Sequence, residues 1–293
     1  MKVLIKKTSE HAVVGVVTAI LLIGLIVSVI AFVQTMYIPK IMEQREADHM
    51  DKVAEQFTYL TTIIDGQALN EIENRPLSTA ITLGSKELPY MLSVRSFGTL
   101  EIMDNTRAID IYNKSSDSPF HIPFGVITYS SRNAYFLDQS YTYEAGATIV
   151  SQSDGNSMMI PPFFFADYNA TTDTVNISFD VVNISSVGNK NIASGYGTYP
   201  IQTEFHNIST KNKIFTDVSS ITIDTPFSTE WNASITYSLN ENLEYEGYDS
   251  QFSLTDMGEY LRLDIASSSD LPTVNIILNV IDIRAQIGPG WVD

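Results

Sequence analysis

From Ala12 to Ile38 the chain carries no charged residue, and between Ala12 and Val33 only Thr18 and Ser28 are even mildly polar. A helix of about 20 apolar residues spans a hydrocarbon core of ~30 Å, so this run is long enough to cross a membrane. A cleavable signal peptide has an apolar stretch of about 7–15 residues and a small-residue cleavage site. Here the run is longer, and Phe32-Val33-Gln34-Thr35 offers no such site. Residues 12–38 therefore read as a retained transmembrane or filament-core helix behind a short cytoplasmic segment, residues 1–11. The basic residues do not fix its direction: Lys2, Lys6 and Lys7 precede the span, and Lys40, Arg45 and Lys52 follow it at a similar distance. Acids weigh little in the positive-inside rule, so that count is a tie. The lysine pair close to the span, and the glycosylation acceptor sites beyond it, favour an extracellular C-terminal part. Gly15/Ala19 and Gly24/Ser28 are small pairs four apart, which let helices approach closely in lipid. The span's partner is thus membrane lipid or copies of itself.

Beyond Pro39, the expected kink, Met50, Val53, Phe57, Leu60 and Ile64 follow three- and four-residue steps. That spacing is one apolar stripe of a helix. Residues 39–75 are read as an amphipathic helical stalk, its stripe packed either on the following domain or against copies of itself. The helix is expected to end between Gly66 and Asn74, before Pro76.

From about Leu88 the hydrophobic period changes to two, and residues 76–293 are expected to form one extracytoplasmic β domain. Trp231–Leu239 alternates apolar odd and polar even positions and reads as a half-buried strand. Thr174–Asp180 repeats the pattern with Val175, Ile177 and Phe179 inward. Further candidates are Phe97–Ile102, Ile109–Tyr112, Gly125–Ser131, Tyr141–Glu144, Thr148–Gln152, Ser219–Asp224 and Tyr260–Ala266. In Thr273–Ile287 the apolar face changes phase after Val280, which implies a bulge or a switch between sheets. The glycine-rich Gly188–Tyr199 reads as a loop. Two prolines keep Met158–Phe165 out of a central ladder position, so it reads as a core-plugging edge segment or an exposed contact patch. The fold class that follows is mainly β: a long N-terminal helix, then an antiparallel β-sandwich of jelly-roll type.

Composition excludes several functions. The chain of 293 residues has no cysteine, which removes disulfides, thiolate catalysis and Cys-ligated metals. Its net charge is −17, and a surface so negative does not suit nucleic acid, whose phosphates need Lys and Arg. His11, His49, His121 and His206 have no metal-ligand spacing, and no nucleophile elbow, Walker loop or dinucleotide fingerprint occurs. Neither an enzyme nor a cofactor or metal site is expected. Glu241, Glu244, Glu246 and Asp249 could offer oxygens to calcium, but they lack the calcium-loop pattern and read as a solvated cluster. Six Asn-x-Ser/Thr sites, at Asn113, Asn169, Asn176, Asn183, Asn207 and Asn232, are possible N-glycosylation positions. Asn176 is the favoured one, because its neighbours in the alternation face inward.

Two stretches resemble known families. Ser9–Val17, running into Leu21-Leu22-Ile23-Gly24, is similar to the N-termini of archaeal type IV pilin-like proteins, where a basic residue and a short polar stretch precede a V-x-G-rich apolar helix. Lys7 is followed by Thr8, where the prepilin peptidase sites of that family usually carry Gly or Ala. Tyr143-Glu144-Ala145-Gly146-Ala147, followed by Met158-Met159-Ile160-Pro161-Pro162, resembles a family of uncharacterised archaeal membrane proteins with a Y-E-x-G-A turn and a Met/Pro-Pro segment. The resemblance implies an archaeal surface protein with a helix and a β head, and supplies no catalytic residue. The leading expectation is a non-enzymatic, pilin-like structural or adhesive subunit at the cell surface. The alternative is a monomeric anchored module that presents its sandwich to a glycan, ion or protein partner.

Overall fold

The computed structural model describes residues 6–85, 96–114, 118–243, 247–266 and 271–291, with side chains described from residue 13 onward. Helix α1 (Lys6–Phe32) passes through a π turn (Val33–Tyr37) straight into α2 (Ile38–Asn70). Pro39 has no amide to give to the ladder and its ring crowds the carbonyl one turn back, and the wider turn lies just ahead of it. Every residue from Val13 to Phe32 is exposed, with mean hydropathy 3.0 in the most apolar window, so α1 has the length and composition to cross a membrane.

Helix α2 behaves oppositely. Met50, Val53, Phe57, Leu60 and Ile64 are all at most 1% exposed, so the stripe packs on the chain's own β domain rather than on copies of itself. Polar bonds lock it in register. The Glu46 carboxylate is fully buried and accepts the backbone amides of Ala134, Tyr135 and Phe136 at 2.7–3.1 Å. Gln56 exchanges two bonds with Thr82, and Gln67 Nε2 donates to the Thr203 carbonyl at 2.6 Å. The helix stops at Glu71, whose left-handed backbone (φ 50°) closes the last turn. The stalk is therefore part of the head.

Among the described residues the head holds two sheets. The first contains β1 (Leu77–Thr82), β10 (Thr198–Thr216), β14 (Thr273–Ile287), β8 (Thr174–Ser186) and β7 (Phe164–Asn169), in that order. The second runs β12 (Phe252–Asp256), β13 (Tyr260–Ile265), β11 (Val218–Asp224), β2 (Phe97–Asn113), β3 (Phe120–Arg132), β4 (Gln139–Glu144), β5 (Ala147–Gln152) and β6 (Gly155–Ile160), with β9 (Ile192–Gly195) also on β2. The mainly-β expectation with a long leading helix holds. Within the sheets β8 and β14 pair in parallel, in unbroken register from Thr174–Thr273 to Ser186–Ala285.

The phase change in β14 has a cause other than a bulge in that strand. Val274, Ile276, Leu278 and Val280 enter one core, with α3 (Ser228–Leu243), while Ile281, Ile283, Ala285 and Ile287 enter a second, closed by α2. β8 changes face at the matching pair Val181/Val182, and β3 at Val126/Ile127. The two sheets cross here: a Cβ built on Gly125 would lie 2.1 Å from the Ile184 carbonyl oxygen, and the Gly125 amide donates to Asn183 Oδ1 at 3.2 Å. On either side of the crossing opposite faces of both sheets are covered. The extra residues that absorb the mismatch sit in β10, where register slips at three places against β14.

Three expectations change. Trp231–Leu239 is not a strand but the body of α3. Trp231, Ile235, Leu239 and Leu243 are buried at four-residue steps, while Tyr237, expected inward, is 67% exposed. Alternate positions in a strand include every fourth residue of a helix, so both periods fit the same letters. Gly188–Tyr199 is not wholly loop, because Ile192–Gly195 forms β9 against Gly98–Glu101. Phe97–Ile102 and Ile109–Tyr112 are one strand, β2, with an irregularity at Met103–Arg107.

Candidate binding cleft

The two motifs that stood out in sequence meet at one place. Ala145 (φ 48°) and Gly146 (φ 94°) form the two-residue hairpin turn between β4 and β5, with Glu144 paired to Ala147. Two positive φ angles in succession are what a type I′ turn requires, which accounts for the glycine. Gly146 leans on Pro162, 3.8 Å from where its Cβ would be. The Pro161-Pro162 pair ends β6 and carries the chain from the second sheet to β7 of the first. Its neighbours divide: Pro162 and Phe164 are buried, whereas Phe163 (57%) and Phe165 (45%) stay exposed. The segment thus serves as edge plug and as exposed apolar surface at once.

Between this segment and the last turns of α2 lies a cleft of about 690 Å³. One wall is Asp65, Ala68, Leu69 and Glu71, and the other is Gly146 and Pro161–Phe163. Its floor comes from β8 (Asp180, Val182), β14 (Asn279, Ile281) and β10 (Ile208, Lys211, Asn212). Asn279 ties the floor together: its Nδ2 donates to Asp180 Oδ1 at 2.6 Å, and its Oδ1 accepts the Asn212 amide at 2.7 Å. Lys211 reaches Glu71 at 2.9 and 3.0 Å. Half-burial on the floor pushes the Asp180 carboxyl above its ordinary range, opposed by the bond from Asn279, whereas Asp65 on the wall stays exposed. A second, shallower hollow on the other side of Pro161 is lined by Asn156, Ser157, Thr229, Glu230 and Tyr237.

Glu144, in the same motif, points away from the cleft. Its Oε1 accepts Thr225 Oγ1 at 2.6 Å and Trp231 Nε1 at 2.7 Å, fastening α3 to the first core. Burial raises its pKa, opposed by those two bonds, and Oε2 has no hydrogen-bond partner.

The acceptor asparagines are scattered. Asn176 is half-buried, its Oδ1 accepting from Asn275 at 3.1 Å, and Asn183 donates to Asp282 at 2.8 Å at the sheet crossing. Asn113 donates to the Thr216 carbonyl, and Asn232 lies on α3 accepting from Thr236. Asn169 and Asn207 are the two most exposed, and Asn176 alternates with the buried Val175 and Ile177 on the outer face of β8. Of the acidic cluster, Glu244 and Glu246 lie outside the described residues; Glu241 lies in the last turn of α3 and Asp249 begins a short 3₁₀ turn. Among the described residues no group of three or more His, Asp or Glu is placed to hold a metal. His49 bonds to Tyr129 in the second core, and His121 to Asp110 at 2.7 Å.

No curated protein and no solved structure matches the chain significantly. A family's sequence model does match it, over residues 11–252, a stretch that takes in most of α1, both motifs and α3. The chain belongs to that family, which is described as a family of unknown function, DUF7289.

Proposed function

We propose that the chain is a non-enzymatic, single-span cell-surface protein whose head is held outside the membrane and works by binding a partner. The observation that carries this reading is the unbroken path from α1 through the π turn into α2. Some twenty apolar residues with no cover in the fold need lipid or like helices around them. Tyr37 stands exposed where the helix meets the head, the level at which aromatic residues favour the membrane interface. Helix α2 rises about 50 Å from that point, at 1.5 Å per residue, and ends at the cleft. The cleft thus stands far from the membrane.

A pilin-like subunit is the second reading, favoured by the all-round exposure of α1 and the absence of a linker before the head. Against it, the stripe from Met50 to Ile64 is already used by the head, which leaves only α1 for packing in a filament core.

Protease added to intact cells, with mass spectrometry of the native N-terminus, tests the proposal. Digestion of the head and an N-terminus ahead of Ala12 are expected. A head protected until cells are lysed, or a mature chain starting after Phe32, would overturn it. Sedimentation of detergent extracts separates the two readings, since filaments pellet and single anchored chains do not.

A further inference from the structure

We propose that the cleft at the far end of α2 binds a small organic cation, an ammonium or guanidinium group carried on an apolar body. This rests on the reading of the head as a binding module and names what it binds. A volume of about 690 Å³ lies within the range of small-molecule sites, about 300–1,000 Å³.

The lining is apolar except at a few places. Leu69 (85% exposed) and Phe163 (57%) stand at the rim with their side chains in water, and Pro161, Pro162, Ile208 and Ile281 continue the apolar surface inward. An apolar ligand body would cover them all, and the gain scales with the area removed from water.

Charge decides what the body carries. Three acids, Asp65, Glu71 and Asp180, line the cleft with one base, Lys211, which is paired with Glu71. The balance is two negative charges. An anion would be repelled. A neutral apolar ligand would strip water from Asp65 and Asp180 and give nothing in return, which is unfavourable for a carboxylate. A cation meets both requirements, since a charge-assisted bond replaces the lost water. Phe163 adds to the preference, because an aromatic ring attracts a cation. Half-burial already holds the Asp180 carboxyl above its usual range, so bare negative charge is disfavoured there until a cation arrives.

The test uses the full-length chain in detergent, titrated with phenethylammonium chloride and, separately, with phenethyl alcohol, and read by calorimetry. Saturable binding of the ammonium is expected, with the alcohol weaker by about tenfold, the effect of one charge-assisted contact of 1.4 kcal/mol. Asp65→Asn lies on an exposed helical position and should keep the fold, as a thermal melt verifies, while weakening the ammonium about tenfold. Phe163→Ser should weaken ammonium and alcohol alike. The proposal is overturned if the alcohol binds as tightly as the ammonium, if Asp65→Asn and Asp180→Asn leave the affinity unchanged, or if the ammonium shows no saturable binding. Any of these with the head still digested on intact cells removes the cleft ligand and leaves the anchor. Ammonium binding intact in a chain that washes free of membranes removes the anchor instead.

Discussion

At the scale of single residues, two positions carry most of the consequence. Gly125 lies where the sheets cross, and a methyl group there would meet the backbone oxygens of Ile184 at 2.1 Å and Met103 at 2.7 Å. Neither can rotate away as a side chain would. Gly125→Ala should destabilise the head by about 3 kcal/mol or more, whereas Gly66→Ala, in α2 with nothing within 4 Å, should stabilise by up to about 1 kcal/mol. Denaturant titration of the two variants checks the contrast. Glu144 sets a pH dependence. Its folded pKa is raised, so the folded state keeps a proton that the unfolded chain releases above about pH 4.3. Stability is therefore full below that value and falls as pH rises through the folded pKa. Glu144→Gln retains an oxygen for Thr225 and Trp231 and cannot ionise. Its melting temperature, relative to the parent, should rise between pH 4 and pH 8; a constant difference would mean that Glu144 does not titrate differently on folding.

At the scale of elements, α3 shows where pattern reading is blind. Trp231, Ile235 and Leu239 satisfy a strand and a helix together, and only Ala233 and Tyr237 distinguish them, both of them exposed. The local cue was Thr225-Pro226 just ahead of the segment, a helix-start signal. Tyr237→Asp should therefore change stability by less than about 0.5 kcal/mol, while Ile235→Asp, an unpaired charge in the first core, should cost several kcal/mol. Equal losses would restore the strand. Where apolar residues recur at a regular step, the sequence was sufficient: the α2 stripe, β8 as far as Asp180 and the Val280/Ile281 change of face were all legible. β10 was not, because its bulges break the alternation and its distal half is exposed. The cleft was half legible. Its two motifs stood out, but Asp65, Asp180 and Lys211 are surface-like letters that only the fold brings together, since their separations in sequence are long.

At the scale of the whole molecule, α2 has to travel with the head. Without it Tyr129, Tyr141, Ile201 and Ile283 would lose the side chains that cover them in the second core. A fragment from Ile38 onward should be soluble and melt in one transition, whereas a fragment from Pro76 should aggregate or melt far lower. A stable, monomeric Pro76 fragment would show that α2 is dispensable. The way α2 is attached also sets how the molecule bears force. A pull on α1 runs along the axis of α2, and the row from Met50 to Ile64 and the Glu46, Gln56 and Gln67 bonds to the head are spread along that line. Loaded in shear, those contacts resist together instead of peeling one at a time. The first compliance under tension then falls at the π turn just before Pro39, and a tethered head would swing before it came apart.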